Sequence, residues 1–148
     1  MAFRFPLEAV FHLRQSVERQ HELRLGVANQ MVAGVRHLLE QFERRIAEIR
    51  ARERQELSAG TTSAELRFAL LSEAALHQRR GEIQRELSRL EALRDQQQEI
   101  FRQARRERET FESLRNRCRA DYLRDRTRRE QRQLDDLYLL RQAYLRRG

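Results

Sequence analysis

A chain of 148 residues is the length of one domain, but 36% charged residues, five glycines, one proline and no tryptophan exclude an ordinary globular core. Abundant Arg, Glu, Leu, Ala and Gln point to long helices or a coiled coil, and apolar residues recurring at helical spacing exclude disorder. All 31 basic residues are arginine and the net charge of +8 is uneven, with 20 Arg against 18 acids in residues 1–113 and 11 against 5 in residues 114–148.

An acidic partner is therefore expected to meet the last quarter of the chain. A lone cysteine, Cys118, excludes a disulfide framework and a cysteine zinc cluster, and points to a reducing, cytosolic setting. The opening MAFRFPLEAVFHLRQ lacks the apolar stretch and cleavage site of a signal peptide. No apolar run approaches the roughly 18 residues of a membrane span. The sequence reads as a soluble intracellular protein.

Pro6 sits where a first helical turn tolerates a missing N–H. From there a period near 3.5 runs through Val10, Leu13, Val17, His21, Leu25, Ala28, Val32, Val35, Leu39, Phe42, Ile46 and Ile49. The spacing after Val17 predicts a stutter in a first helix over about residues 7–57. His21 reads as a polar core position that sets register. Gly60 suits a left-handed helix stop, and Thr62 with Glu65 reads as a capping box that starts a second helix after a turn over about 58–62.

That helix is expected over about 63–146. Its stripe runs Leu66, Ala69, Leu76, Ile83, Leu87, Leu90, Leu93, Ile100, Ala104, Phe111, Leu114 and Cys118, and is expected to continue, less regularly, through Tyr122, Leu134, Leu137 and Leu145. Two apolar stripes joined by a short turn predict an all-α fold, a long antiparallel two-helix coiled-coil hairpin in one domain over 1–148. With the turn centred near residue 60, residue i faces residue 120 − i. The second helix then overhangs the first by about 35 residues, on the order of 50 Å.

Nothing supports catalysis. His12, His21, His37 and His77 have no Cys or second His at ligand spacing, no phosphate-binding glycine loop is present, and two helices offer no cleft. No enzyme, cofactor, metal or small-molecule substrate is expected. Cys118 on the stripe reads as a small apolar filler.

The overhang carries an Arg-rich run and the apolar residues Tyr122, Leu134, Leu137, Tyr138, Leu140, Tyr144 and Leu145, more than a solvated tail needs. Arg124, Arg126, Arg128, Arg129 and Arg132 could meet phosphates. Asp121, Asp125, Glu130, Asp135 and Asp136 oppose a polyanion, however, and a leucine-zipper reader of nucleic acid would show a nearly acid-free run. Protein docking ranks first, an inert charged face or a generic scaffold second, nucleic acid last.

Two motifs carry a resemblance. MAFRFPLEAVFHLRQSVERQ, with its Phe-x-Phe-x-Leu-Glu start, and EQRQLDDLYLLR from Glu130 resemble the two ends of the flagellar type III export protein family FliJ. Gln131-Arg132-Gln133 stands where that family commonly has a Lys, Asp136 replaces a Glu, and Leu137-Tyr138-Leu139-Leu140 is bulkier than the usual sequel. The resemblance implies a stalk that enters the hexameric export ATPase, contacts the cytoplasmic domain of the export gate and helps recycle export chaperones. It implies a cytoplasmic location at the inner-membrane export apparatus. The equivalent stalk of a virulence secretion system is a close variant. By the resemblance, ATPase contacts fall on Phe3, Phe5, Arg128, Arg129, Glu130, Arg132, Leu134, Asp135, Asp136, Leu137 and Tyr138. Gate contacts nearer the hairpin tip fall on Phe42, Ile46, Phe68 and Leu71. Phe3 and Phe5 are expected alongside residues 115–118.

Overall fold

A computed structural model describes residues 3–146. It contains two helices, α1 over Glu8–Ser58 and α2 over Ser63–Leu145, and no strand among the described residues. The fold is the all-helical hairpin, its second helix the longer. The chain divides into two compact units, one formed by Met1–Arg19 with Gln103–Gly148 and the other by Gln20–Arg102.

The helices are joined by the chemistry the turn residues provide. Ala59 N–H donates to the Glu56 carbonyl at 3.0 Å, and Gly60 adopts a φ of 103°, which a side chain would disfavour. Thr62 caps α2: its backbone N–H and its hydroxyl donate to the Glu65 carboxylate at 2.8 and 2.9 Å. These bonds, the backbone one first, hold the Glu65 carboxyl below its ordinary range. A lowered carboxylate pKa contributes stability above the unfolded value and loses it as pH falls through the folded one. Thermal unfolding from neutral to acid pH should therefore show the native chain's advantage over Glu65→Gln shrinking on acidification, because glutamine keeps the bonding geometry but does not titrate.

In the unit Gln20–Arg102 the core is one seam, with Ala28, Val32 and Ile46 of α1 buried with Ile83 and Leu90 of α2. Ion pairs flank it: Arg36–Glu91 at 2.6 Å, Glu43–Arg80 at 2.7 Å and Arg50–Glu73 at 2.8 Å. In the other unit Phe5, Phe11 and Ala104 are buried, and Glu8 pairs with Arg115 at 3.0 Å.

Glu8 with Arg115, Glu43 with Arg80 and Arg50 with Glu73 place residue i opposite a residue near 123 − i, not 120 − i. The pairing pivots inside the turn, past Gly60. Phe3 accordingly reaches on to Tyr122, ring centroids 5.7 Å apart and tilted, while Phe3 and Phe5 share an open groove with Arg115, inside the expected 115–118 region. The overhang begins after Tyr122, shortening it to residues 123–145, about 35 Å of helix.

The seam also differs from the apolar series in detail. In α2 the inward positions Ala69, Glu73, Leu76, Arg80, Ile83, Leu87, Leu90, Arg94, Gln97, Phe101, Ala104, Arg108, Phe111, Arg115, Cys118 and Tyr122 alternate at 4-3 spacing, all buried or half-buried. Leu66, Leu93, Ile100 and Leu114 are exposed instead. Arginine stems lie along the seam while their guanidinium groups reach outward to glutamates or, for Arg94, to Asp95. In α1, Phe11, Arg14, Glu18, His21, Leu25 and Ala28 continue the same alternation, so the expected stutter is absent and Leu13 is exposed.

Candidate docking surfaces

The first surface lies on α2 beyond Tyr122. Neither Gly nor Pro occurs between residues 82 and 147, so propensity favours an unbroken helix there. Local bonds support it: Arg126 donates to Glu130 at 2.8 Å, Arg124 pairs with Asp121, and Gln142 donates to the Tyr138 hydroxyl at 2.9 Å. Glu130 holds the Arg126 guanidinium above its ordinary pKa. Among the described residues Arg128, Arg129, Arg132, Asp135 and Asp136 show no ion-pair partner.

Leu134, Leu137, Tyr138, Tyr144 and Leu145 recur at helical spacing on one face with Arg141, and Leu134, Leu137 and Tyr138 are 67%, 62% and 62% exposed. This face is not the seam prolonged. Continuing the 4-3 alternation from Tyr122 lands on Asp125, Arg129, Arg132 and Asp136. At about 100° per residue the apolar face is turned nearly half a revolution from the seam. The free segment 123–146 carries seven Arg against four acids, less positive than the whole of residues 114–148. Arg115, Arg117 and Arg119 lie on the part of α2 that packs against the N-terminal segment.

Ion pairs flank the buried Phe5, Phe11 and Ala104 where the N-terminal segment meets α2. Glu18 accepts from Arg108 at 2.8 Å, Arg14 pairs with Glu107, and the Arg115 guanidinium lies 5.3 Å from the Phe11 ring centroid. The Arg108 side chain is 19% exposed, and Glu18 is the main cause of its raised pKa. Removing that acceptor with Glu18→Ala should loosen this end by about 1 kcal/mol. The readout is amide exchange about fivefold faster in residues 8–19, with amides near Ile83 unchanged.

Phe5 is buried here and Phe3 is half-buried on Tyr122. The two aromatic residues of the N-terminal motif thus close the hairpin's own end.

The second surface surrounds the turn, in the unit Gln20–Arg102. Phe68 and Leu71 are 75% and 72% exposed, with Leu57, Leu66 and Leu70 also open. An open groove beside them is lined by Glu53, Glu56, Leu57, Glu65 and Phe68. Ile46 is buried and Phe42 half-buried on the seam, so neither offers a free surface. Exposed leucines at the tip were legible as apolar residues, but only the 4-3 seam, with Ala69 and Glu73 turned inward, shows which of them face out.

No group of His, Cys, Asp and Glu among the described residues could hold a metal, and no described helix is long and apolar enough to cross a membrane. What the described residues present is an all-helical hairpin that leaves apolar side chains exposed beyond Tyr122 and around the turn. The family model described as "Flagellar FliJ protein" matches residues 3–148, nearly the whole chain, and the protein belongs to that family. No curated protein and no solved structure matches it significantly. Membership carries a role associated with flagellar protein export, in a family of non-catalytic components.

Proposed function

We propose that the chain is the non-enzymatic stalk of the flagellar export apparatus, binding the hexameric export ATPase through residues 123–145. One observation carries this reading: Leu134, Leu137, Tyr138, Tyr144 and Leu145 form an exposed face that no described residue covers. An uncovered apolar stripe on a helix is stabilised by a partner groove, with its anchors at helical spacing. Arg128, Arg129, Glu130, Arg132, Asp135 and Asp136 border it with charges of both signs, which suits a polar protein rim better than a polyanion.

Within this reading Phe68 and Leu71 contact the cytoplasmic domain of the export gate, chaperone recycling uses the assembled complex, and the chain works in the cytoplasm at the inner membrane. Phe3 and Phe5 support the ATPase contact indirectly, by fixing the hairpin end from which the overhang departs.

Retention on the immobilised export ATPase, compared for the full chain and for residues 1–122, tests the proposal. Retention of the full chain alone is expected. Equal retention of both, or salt-sensitive retention on nucleic acid without any on the ATPase, would overturn it.

A further inference from the structure

The apolar core has a gap. No residue of α1 between Phe11 and Ala28 is buried, and none of α2 between Leu90 and Ala104. The half-buried positions in these two runs include Arg14, Glu18, His21, Arg94 and Gln97, with Val17, Leu25 and Phe101 among them. Among the described residues, the buried side-chain atoms without a hydrogen-bond partner are Arg14 Nε, His21 Nδ1 and Gln97 Oε1. All three fall inside the gap. An unpaired buried polar atom costs stability where it lies. The two compact units also divide here, after Arg19 and before Gln103.

Beyond the gap, residues 3–19 close on α2 through a small cluster of their own. Phe5, Phe11 and Ala104 are buried there, and Phe3 lies against Tyr122. Two of the ion pairs around it, Arg14–Glu107 and Glu8–Arg115, join side chains that are 36–42% exposed. Pairs so open to water are screened by salt. A cluster this small, with no buried apolar residue to carry it onward, makes and loses its contacts together. The segment's own helical tendency is also weak, because Val10, Phe11, His12, Ser16 and Val17 crowd its middle. The facing stretch of α2, from Gln103 to Tyr122, is rich in Arg, Glu and Ala and holds its helix without help.

We propose that residues 3–19 are a strap that releases from α2 as one unit, unwinding as it leaves. The unit Gln20–Arg102 stays closed and α2 stays helical. Release uncovers Phe111, Cys118 and Tyr122. The free part of α2 then starts near residue 104 and not at 123, a gain of about 28 Å of helix. The uncovered positions lie on the seam face, so the open form presents apolar side chains on a second side of α2. Salt favours the open form by weakening the ion pairs, and a partner that binds the uncovered face selects it.

The test uses the full chain in a Cys118→Ser background and does not depend on the export reading. Spin labels on Ala9→Cys with Asn116→Cys report the strap, and labels on Ala47→Cys with Ala75→Cys report the other unit. The first pair should give a short distance and a long, broad one, the long share rising severalfold between low salt and about 1 M sodium chloride. The second pair should give one distance throughout. Phe11→Ala should make the open form predominate at low salt and leave the second pair unmoved, which separates release from misfolding. Native-state amide exchange in the unlabelled chain should show residues 12–19 sharing one opening step, at least tenfold easier than that of amides near Val32. A single short distance at every salt, opening of both pairs together, or protection that merely fades toward residue 8 as in a fraying helix end would overturn the proposal.

Discussion

Alanine at Leu134, Leu137 and Tyr138 together should abolish capture by the export ATPase, lowering affinity at least a hundredfold, while helical content by circular dichroism stays within a few per cent. The affinity side follows from burial. Three large side chains that are more than half exposed in the free chain become anchors when a groove covers them, and central anchors often contribute 2 kcal/mol or more each. The helicity side follows from what these residues do not touch. Leu134 and Leu137 lie open on the surface of α2, and the Tyr138 hydroxyl accepts from Gln142 at 2.9 Å on the same helix. Alanine is also the best helix former. Loss of overall folding in the triple variant would mean that the face serves the fold, and the docking proposal would fail. Replacing Arg128, Arg129 and Arg132 with glutamine should act differently: a slower association that depends on salt, with dissociation little changed.

The second large effect concerns the hairpin itself. Leu90→Ala should destabilise the fold by about 2–3 kcal/mol, toward the low end for buried leucines because a two-helix seam has no third layer to seal the cavity. Leu93→Ala, three residues along, should stay within about 0.5 kcal/mol. The apolar series gives these leucines equal weight, yet Leu90 is 4% exposed and Leu93 is 40% exposed. Urea unfolding of both variants decides the matter. Equal losses would show that the seam passes through Leu93, and the register built on Arg94 would be wrong.

That pair also shows where sequence reasoning loses the thread. Two helices, the break at Gly60 and the Thr62–Glu65 cap were legible because glycine, capping chemistry and the 3.5 period act locally. Ala69, Leu76, Ile83, Leu87, Leu90, Ala104, Phe111 and Cys118 were all assigned to the stripe they occupy. Between them the seam passes through Arg80, Arg94, Arg108 and Arg115, whose stems pack but whose names read as surface. Leu93, Ile100 and Leu114 each stand one place before a seam position and drew the apolar series aside. The same cause produced the apparent stutter, since Arg14 and Glu18 hold seam positions beside Leu13 and Val17.

The overhang was legible as a difference in helix length, but too long by about a dozen residues. Its limit depends on the pivot within the turn and on Phe3, which reaches past the start of α1 to cover Tyr122. Neither is a local property. Of the residues assigned to contacts by family resemblance, Phe5 and Ile46 are buried in the hairpin, whereas Leu134, Leu137, Tyr138, Phe68 and Leu71 are open. A motif preserves residue type without saying whether the residue serves the fold or a partner. Only burial separates the two.

The change of face along α2 makes the interval between Tyr122 and Leu134 a matter of phase. The seam ends at one and the exposed apolar face begins at the other, with only polar, exposed helix and Leu123 between them. Inserting or deleting one residue in that interval would leave both faces intact in composition, yet rotate one against the other by about 100°. Gaining or losing seven would nearly restore their alignment. Exchanging arginine for glutamine in this stretch should therefore leave the phase of the two faces unchanged, whereas a change in the number of residues should not.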